Sequence, residues 1–221
     1  MPPLPPSPVI GVVGGVGSGK SALARAAADR WDLVRIDGDA AGHAALRDPT
    51  VKRRVREAFG GDAFAADGSV DRSALAARVF GSAAAQRDAK AALQEIVHPV
   101  IRADLLGQIA DARAAGAPAV LLDAAVLLET GYRDDCDAVI FVDVPRAGRL
   151  RRVAAREWDA AELDRREASQ WPLDRKRAAA DVVIDNNGPL DDAVAAFGRF
   201  LSAAGVPLPA PAPPVELAGA A

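Results

Sequence analysis

Five short apolar runs mark the chain, at residues 9–13, 33–36, 120–122, 138–142 and 182–184, each flanked by Gly, Asp or Pro. Runs of that length, apolar throughout rather than alternating, are the pattern of strands buried in a parallel sheet. Helical patterns separate them at about 20–30, 40–58, 71–114 with breaks, 146–180 with breaks, and 190–204. Strand–helix alternation predicts an α/β chain whose parallel sheet is covered on both faces. Two intervals, roughly 40–115 and 146–180, exceed the dozen or so residues that a crossover needs. Extra helices there are expected to shape a substrate pocket and a lid. Pro99, within a helical stretch, is expected to end or kink its helix.

The first apolar run leads straight into Gly14-Gly15-Val16-Gly17-Ser18-Gly19-Lys20-Ser21, which fits G-x-x-x-x-G-K-[ST]. Glycines let such a loop curl so that successive backbone N–H groups face phosphate oxygens, and the helix that follows adds its positive end. Lys20 then spans the outer phosphates and the Ser21 hydroxyl ligates Mg²⁺. Gly15, Val16, Gly17, Ser18, Gly19, Lys20, Ser21 and Ala22 are therefore the candidate nucleotide cradle. The same residues also satisfy G-x-G-x-x-[GA], the dinucleotide pattern, with Asp37 or Asp39 about twenty residues later. That pattern gives no reason for Lys20 and Ser21.

Composition narrows the chemistry. The chain has 221 residues, formal charge −3, one cysteine and two histidines. A lone Cys136 excludes an internal disulfide, and with His43 and His98 it is too little for a structural zinc site, so any metal sits on oxygen ligands. The charge balance argues against a nucleic-acid binder. The proline-rich ends, residues 1–8 and 205–221, read as disordered tails around a single domain of residues 9–204. The apolar stretch at 9–16 is too short and glycine-broken for a signal peptide or a membrane anchor, so the expectation is a cytoplasmic protein with no membrane partner, a monomer or a weak homo-oligomer.

In open parallel sheets ligands sit beyond the carboxyl ends of the strands. Asp37 and Asp39 follow the second run, with Gly38 between them, and Asp123 closes the third. Asp39 reads either as a helix N-cap or as a general base for an attacking hydroxyl; that hydroxyl becomes acidic as its bond to phosphorus forms, so a plain aspartate suffices. Asp37 is second for either a cap or a metal role. Asp123 reads as a strand-end acid or as a Walker-B carboxylate holding Mg²⁺ or its waters.

Residues 146–166 hold seven arginines, and Arg149, Arg152 and Arg156 at i, i+3, i+7 share one helix face. They form either a solvated basic face or a lid that clamps phosphates, with Arg156 at the hinge. The Asp185-Asn186-Asn187-Gly188-Pro189 segment is a turn or an adenine-flanking loop, and it lacks the Asn-Lys-x-Asp element that reads guanine. His98 is a pocket wall or a satisfied core histidine.

Residues 11–21, Ile-Asp-Gly-Asp (36–39), Phe-Gly-Gly-Asp (59–62) and Asp-Gly-Ser-Val-Asp-Arg-Ser-Ala-Leu (67–75) closely resemble dephospho-CoA kinases. So do Ile-Val-His-Pro (96–99), Val-Leu-Leu-Glu (126–129), Phe-Val-Asp-Val (141–144) and residues 180–188. The resemblance runs from about residue 9 to 201. It implies a three-layer P-loop NTPase-type fold with a five-stranded parallel sheet, a helical CoA-binding insert and a lid. It implies transfer of the ATP γ-phosphoryl group to the ribose 3′-hydroxyl of dephospho-CoA. On that pattern Lys20 and Ser21 serve ATP and Mg²⁺, Asp39 is the base, Arg156 is a lid arginine, and Asn187 lies in the adenine-flanking loop. His98, Leu127 and Glu129 fall to the acceptor pocket, and Gly38 stands where the family usually has Ala. Two rivals share the loop: a kinase for another small hydroxyl or nucleoside, and an ATP-driven switch protein. A base aimed at a substrate hydroxyl separates kinase from switch.

Overall fold

The computed structural model describes residues 3–79 and 84–208. Five parallel strands, β1 (Val9–Gly14), β2 (Val34–Asp37), β3 (Val120–Asp123), β4 (Ala138–Asp143) and β5 (Val182–Asp185), form one sheet in the order β2-β3-β1-β4-β5. The chain moves to one side of β1 for β2 and β3 and to the other for β4 and β5. Adjacent connections therefore part above the carboxyl end of β1, the crevice where open α/β sheets bind ligands.

Alternation along the strands divides the core between two faces. Ile10, Val12, Leu121, Ile140 and Val142 pack against α1 (Lys20–Trp31) and α9 (Leu190–Ala203) through Leu23, Trp31, Phe197 and Leu201. Val9, Val13, Val120, Leu122 and Phe141 face the other way, onto Leu105 and Ile109 of α5 (Ala84–Ala114) and onto Leu127 and Leu128. A smaller core, with Val51, Val55, Leu75, Val79 and Ile96, joins α3 (Pro49–Phe59) and α4 (Arg72–Val79) to α5.

The long helical stretch expected at 40–58 is two helices, α2 (Gly38–Ala45) and α3. The Asp48 carboxylate accepts from the N–H groups of Thr50 and Val51, with Pro49 at the first helical position, which is a strong start signal. Conversely, Pro99 does not end its helix. α5 continues through it because Ile96 is buried in the small core and Leu105 and Ile109 in the sheet core, and this burial on both sides outweighs one missing N–H donor. The tail expectation also changes. The Leu4 N–H donates to the Ala204 carbonyl at 3.0 Å, and Leu4 and Leu208 pack on the α1/α9 core, so residues 3–8 and 205–208 are docked. Residues 1–2 and 209–221 lie outside the described ones.

Candidate active site

Gly14 ends β1, and the loop that follows turns through Gly17 (φ 79°) and Gly19 (φ 81°) before α1 begins at Lys20. Both angles lie in the left-handed region that glycine adopts without cost. Space also matters: a Cβ on Gly17 would stand 2.8 Å from Val153 Cγ1 and 3.0 Å from the Arg149 carbonyl, both on α6 (Arg146–Ala154). The Ser18 carbonyl accepts from Arg152 Nη1 and from Asn186 Nδ2, each at 2.8 Å, which braces the loop from beneath. Above it opens a cleft of about 320 Å³ lined by the loop, Asp39, Ala125, Arg156, Trp158, Arg166 and Gln170.

At one side of that cleft the β2–β3 register sets Asp37 beside Asp123. Asp123 is 2% exposed and both its oxygens are engaged. Lys20 Nζ lies 2.7 Å from Oδ1, while Arg35 donates to Oδ2 through Nη2 at 2.7 Å and Nε at 3.2 Å. Burial opposes ionisation of Asp123, but the charge of Lys20 and hydrogen bonds from Lys20, Arg35 and Ser21 outweigh it and hold the pKa below the ordinary aspartate value. Asp37 is likewise held low: burial is outweighed by the Ala40 N–H, Arg35 and the Asp39 N–H.

The two readings of Asp39 part here. Asp37 is the N-cap of α2, its Oδ1 accepting from the N–H groups of Asp39 and Ala40 at 3.1 and 3.0 Å. Asp39 therefore sits in the first helical turn and lines the cleft, and among the described residues no side chain pairs with its carboxylate. The Ser21 hydroxyl and the Asp123 carboxylate are adjacent oxygen donors, a set suited to Mg²⁺ completed by phosphate oxygens and water. Among the described residues no group of three or more His, Cys, Asp or Glu side chains is placed to hold a metal ion.

Five of the seven arginines divide by contact. Arg149 is buried, paired with Glu167 and donating to the Val144 carbonyl. Arg146 pairs with Asp164, and Arg152 spends its guanidinium on the Ser18 and Asn186 carbonyls, not in the cleft. Arg156 and Arg166 do reach the cleft, their guanidinium carbons 5.5 and 3.8 Å from the Trp158 ring centre.

Several expected contacts fall elsewhere. Leu127 is wholly buried in the core, where it packs over Gly11, and offers no surface to a ligand. His98 lines a separate groove with Glu129 and Thr130, and its partial burial lowers its pKa. Glu129 faces inward, accepting from the Trp171 N–H at 2.7 Å and pairing with Lys176 at 2.9 Å. Asn187 is not among the displaced ones: it stays exposed in the turn after β5, where its N–H donates to Asp185.

The model of the dephospho-CoA kinase family matches residues 8–192. The chain belongs to the dephospho-CoA kinase family. Dephospho-CoA kinases of Rhodopirellula baltica and Geobacter sulfurreducens are 39% and 37% identical to it, over 84% and 81% of this chain and 86% and 90% of theirs. A solved structure, TT1252 from Thermus thermophilus, superposes with a TM-score of 0.73 at 30% identity, covering 92% of this chain and 98% of that one.

Sequence reasoning passed over three residues of this kinase that hold the site together: Arg35, Asn186 and Lys176. Lys176 is 0% exposed and its Nζ satisfies three acceptors, Glu129, the Gln170 side chain at 2.8 Å and the Ala125 carbonyl at 3.0 Å. The scarcity of lysine, four in the chain, was the signal available for it. Nothing local marks Arg35, and Asn186 lay within the marked 185–189 segment without a role of its own.

Proposed function

We propose that this chain transfers the γ-phosphoryl group of ATP to the ribose 3′-hydroxyl of dephospho-CoA, giving CoA and ADP, the last step of coenzyme A synthesis. The observation that carries the reading is Asp39, freed from capping by Asp37 and facing the same cleft as the phosphate loop and Arg156.

In the reaction the acceptor oxygen bonds to the γ-phosphorus, the bond from that phosphorus to the β–γ bridging oxygen breaks, and ADP leaves. Asp39 takes the proton of the acceptor hydroxyl. Lys20 turns from Asp123 to the outer phosphates, and the loop N–H groups and the start of α1 hold the rest of the chain of phosphates. Ser21 and Asp123 would hold Mg²⁺, which neutralises charge on the phosphates when bound. Arg156, with Arg166 beside it, meets the charge of the transferring group. In this reading α2–α5 receive the acceptor, α6, α7 (Ala160–Glu167) and α8 (Leu173–Ala178) act as the lid, and Asn187 flanks adenine. Cys136, a free and buried thiol, suits the reducing cytoplasm, where both substrates are small and diffusible.

Purified protein with ATP, Mg²⁺ and dephospho-CoA should form CoA and ADP in equal amounts, measured by chromatography. ADP released at the same rate without dephospho-CoA would defeat the kinase reading and favour a switch. Asp39→Asn should bind ATP normally by calorimetry while kcat falls about 10²–10⁴-fold. Near-normal turnover would return Asp39 to a structural role.

A further inference from the structure

Arg35 lies on the edge strand β2, outside the phosphate-loop motif and outside the cleft lining, yet it touches both acids at the sheet end. One nitrogen, Nη2, donates to Asp37 Oδ2 at 2.8 Å and to Asp123 Oδ2 at 2.7 Å, and Nε adds a bond to Asp123 at 3.2 Å. The other oxygen of each carboxylate faces the machinery: Asp123 Oδ1 holds Lys20, and Asp37 Oδ1 caps the helix that carries Asp39. The contacts therefore run without a gap from Lys20 through Asp123, Arg35 and Asp37 to the first turn of α2. Two cations and two carboxylates balance.

This arrangement matters most when Lys20 leaves. Once Lys20 turns to phosphate, Asp123 Oδ1 is freed for the metal side, and a buried carboxylate with no remaining cation would be strongly disfavoured. Arg35 stays on Oδ2, keeping Asp123 charged and fixing which oxygen it presents. The same guanidinium holds Asp37 in register, so the helix bearing Asp39 is aligned with Asp123. Outer partners of metal-side ligands commonly set affinity and rate in this way.

We propose that Arg35 is a positioning residue that locks the orientation of Asp123 and couples it, through Asp37, to the helix presenting Asp39. The part of this concerning Asp39 rests on the phosphotransfer reading; the part concerning Asp123 needs only ATP binding.

The test is ATP binding by calorimetry with and without Mg²⁺, for the wild type and Arg35→Met, alone and in an Asp123→Asn background. The factor by which Mg²⁺ tightens ATP should fall about tenfold in Arg35→Met. In Asp123→Asn the same replacement should leave that factor unchanged. An unchanged factor in Arg35→Met, or an equal loss in the Asp123→Asn background, overturns the proposal. So does a fall in melting temperature with the factor intact, which is the mark of a merely structural arginine. Should Arg35→Met not fold, Arg35→Lys carries the test, because an ammonium keeps the charge but not the planar fork whose Nε adds a second bond to Asp123 and fixes its orientation, and the factor should fall by a smaller amount. In turnover, kcat for Arg35→Met should drop about tenfold with KM for dephospho-CoA unchanged. A wild type that binds ATP with Mg²⁺ but ignores dephospho-CoA would sink the substrate reading while the binding arm still decides the role of Arg35 toward Asp123.

Discussion

On the β1 side of the cleft the phosphate loop is braced redundantly. Its Ser18 carbonyl has two donors, Arg152 and Asn186, and its shape is set by glycines whose conformations are local properties of the chain. On the opposite side the wall is made from distant pieces: Ala125 and Glu129 follow β3, Gln170 follows α7, and one buried ammonium on α8 joins them. The shape of the phosphate loop is thus local and its bracing doubled, whereas the facing wall depends on a few buried bonds made largely through one ammonium. A pre-shaped phosphate cradle can stay fixed through turnover. The facing wall has, beside the Trp171 N–H bond to Glu129, one main joining point, the Lys176 ammonium.

Removing that point should have the largest effect. Lys176→Met leaves the Glu129 carboxylate buried, with its Oε2 already lacking a partner, and strands the Gln170 and Ala125 oxygens. Breaking a buried ion pair from one side costs about 3–5 kcal/mol. At about 2–4 °C per kcal/mol for a chain of this size, the melting temperature should fall by roughly 6–20 °C. A shift under 2 °C by differential scanning calorimetry would mean that the wall is held by other contacts.

Arg156→Ala comes next and acts on rate alone. Arg156 is exposed, and its ring contact with Trp158 is loose at 5.5 Å, so melting should be unaffected. If it stabilises charge only in the transition state, kcat falls about 10²–10³-fold, equivalent to about 3–4 kcal/mol, with KM for ATP little changed. A change confined to KM would make it a ground-state contact. Together these two variants would separate the wall facing the loop into a joint that acts on folding and an arm that acts on chemistry.

The same division explains what could be read from the chain. All five strands were legible, because apolar runs bounded by Gly, Asp and Pro are local, and so was the phosphate loop, whose residues must be adjacent to do their work. Asp39 was legible as one of two aspartates and the resemblance made it the base, but which of the pair caps α2 was not legible from the residues alone, because Asp37 and Asp39 differ by which oxygen meets which N–H. The arginines of residues 146–166 were visible as a cluster of one residue type, whereas their individual contacts depend on Glu167, Asp164 and the Ser18 carbonyl, which only folding brings near. Arg35 and Lys176 carry no local pattern; each is defined by acids 88 and 47 positions away, Asp123 and Glu129. Glu129 was assigned to the acceptor and proves to face Lys176. Gly38, which stands where the family usually has Ala, sits where a Cβ would lie 2.6 Å from Ala124 Cβ, so the two small residues are matched where α2 begins and β3 ends.

The smallest effect tests redundancy on the donor side. Asn186 is 2% exposed and looks as demanding as Lys176, but its Nδ2 bond to Ser18 duplicates the one from Arg152, and its Oδ1 is buried with no partner. Asn186→Ala therefore removes one hydrogen bond, leaves the Ser18 carbonyl satisfied and deletes an unpaired acceptor. The loss should be about 1 kcal/mol, below the 1–3 expected when a buried group is orphaned. Arg152→Ala in the Asn186→Ala background should then cost more than Arg152→Ala alone, because the second deletion leaves the carbonyl without either donor. Strict additivity in chemical denaturation would mean that the two donors do not back each other up, and the contrast between a redundantly braced loop and a wall centred on one ammonium would fail at the loop itself.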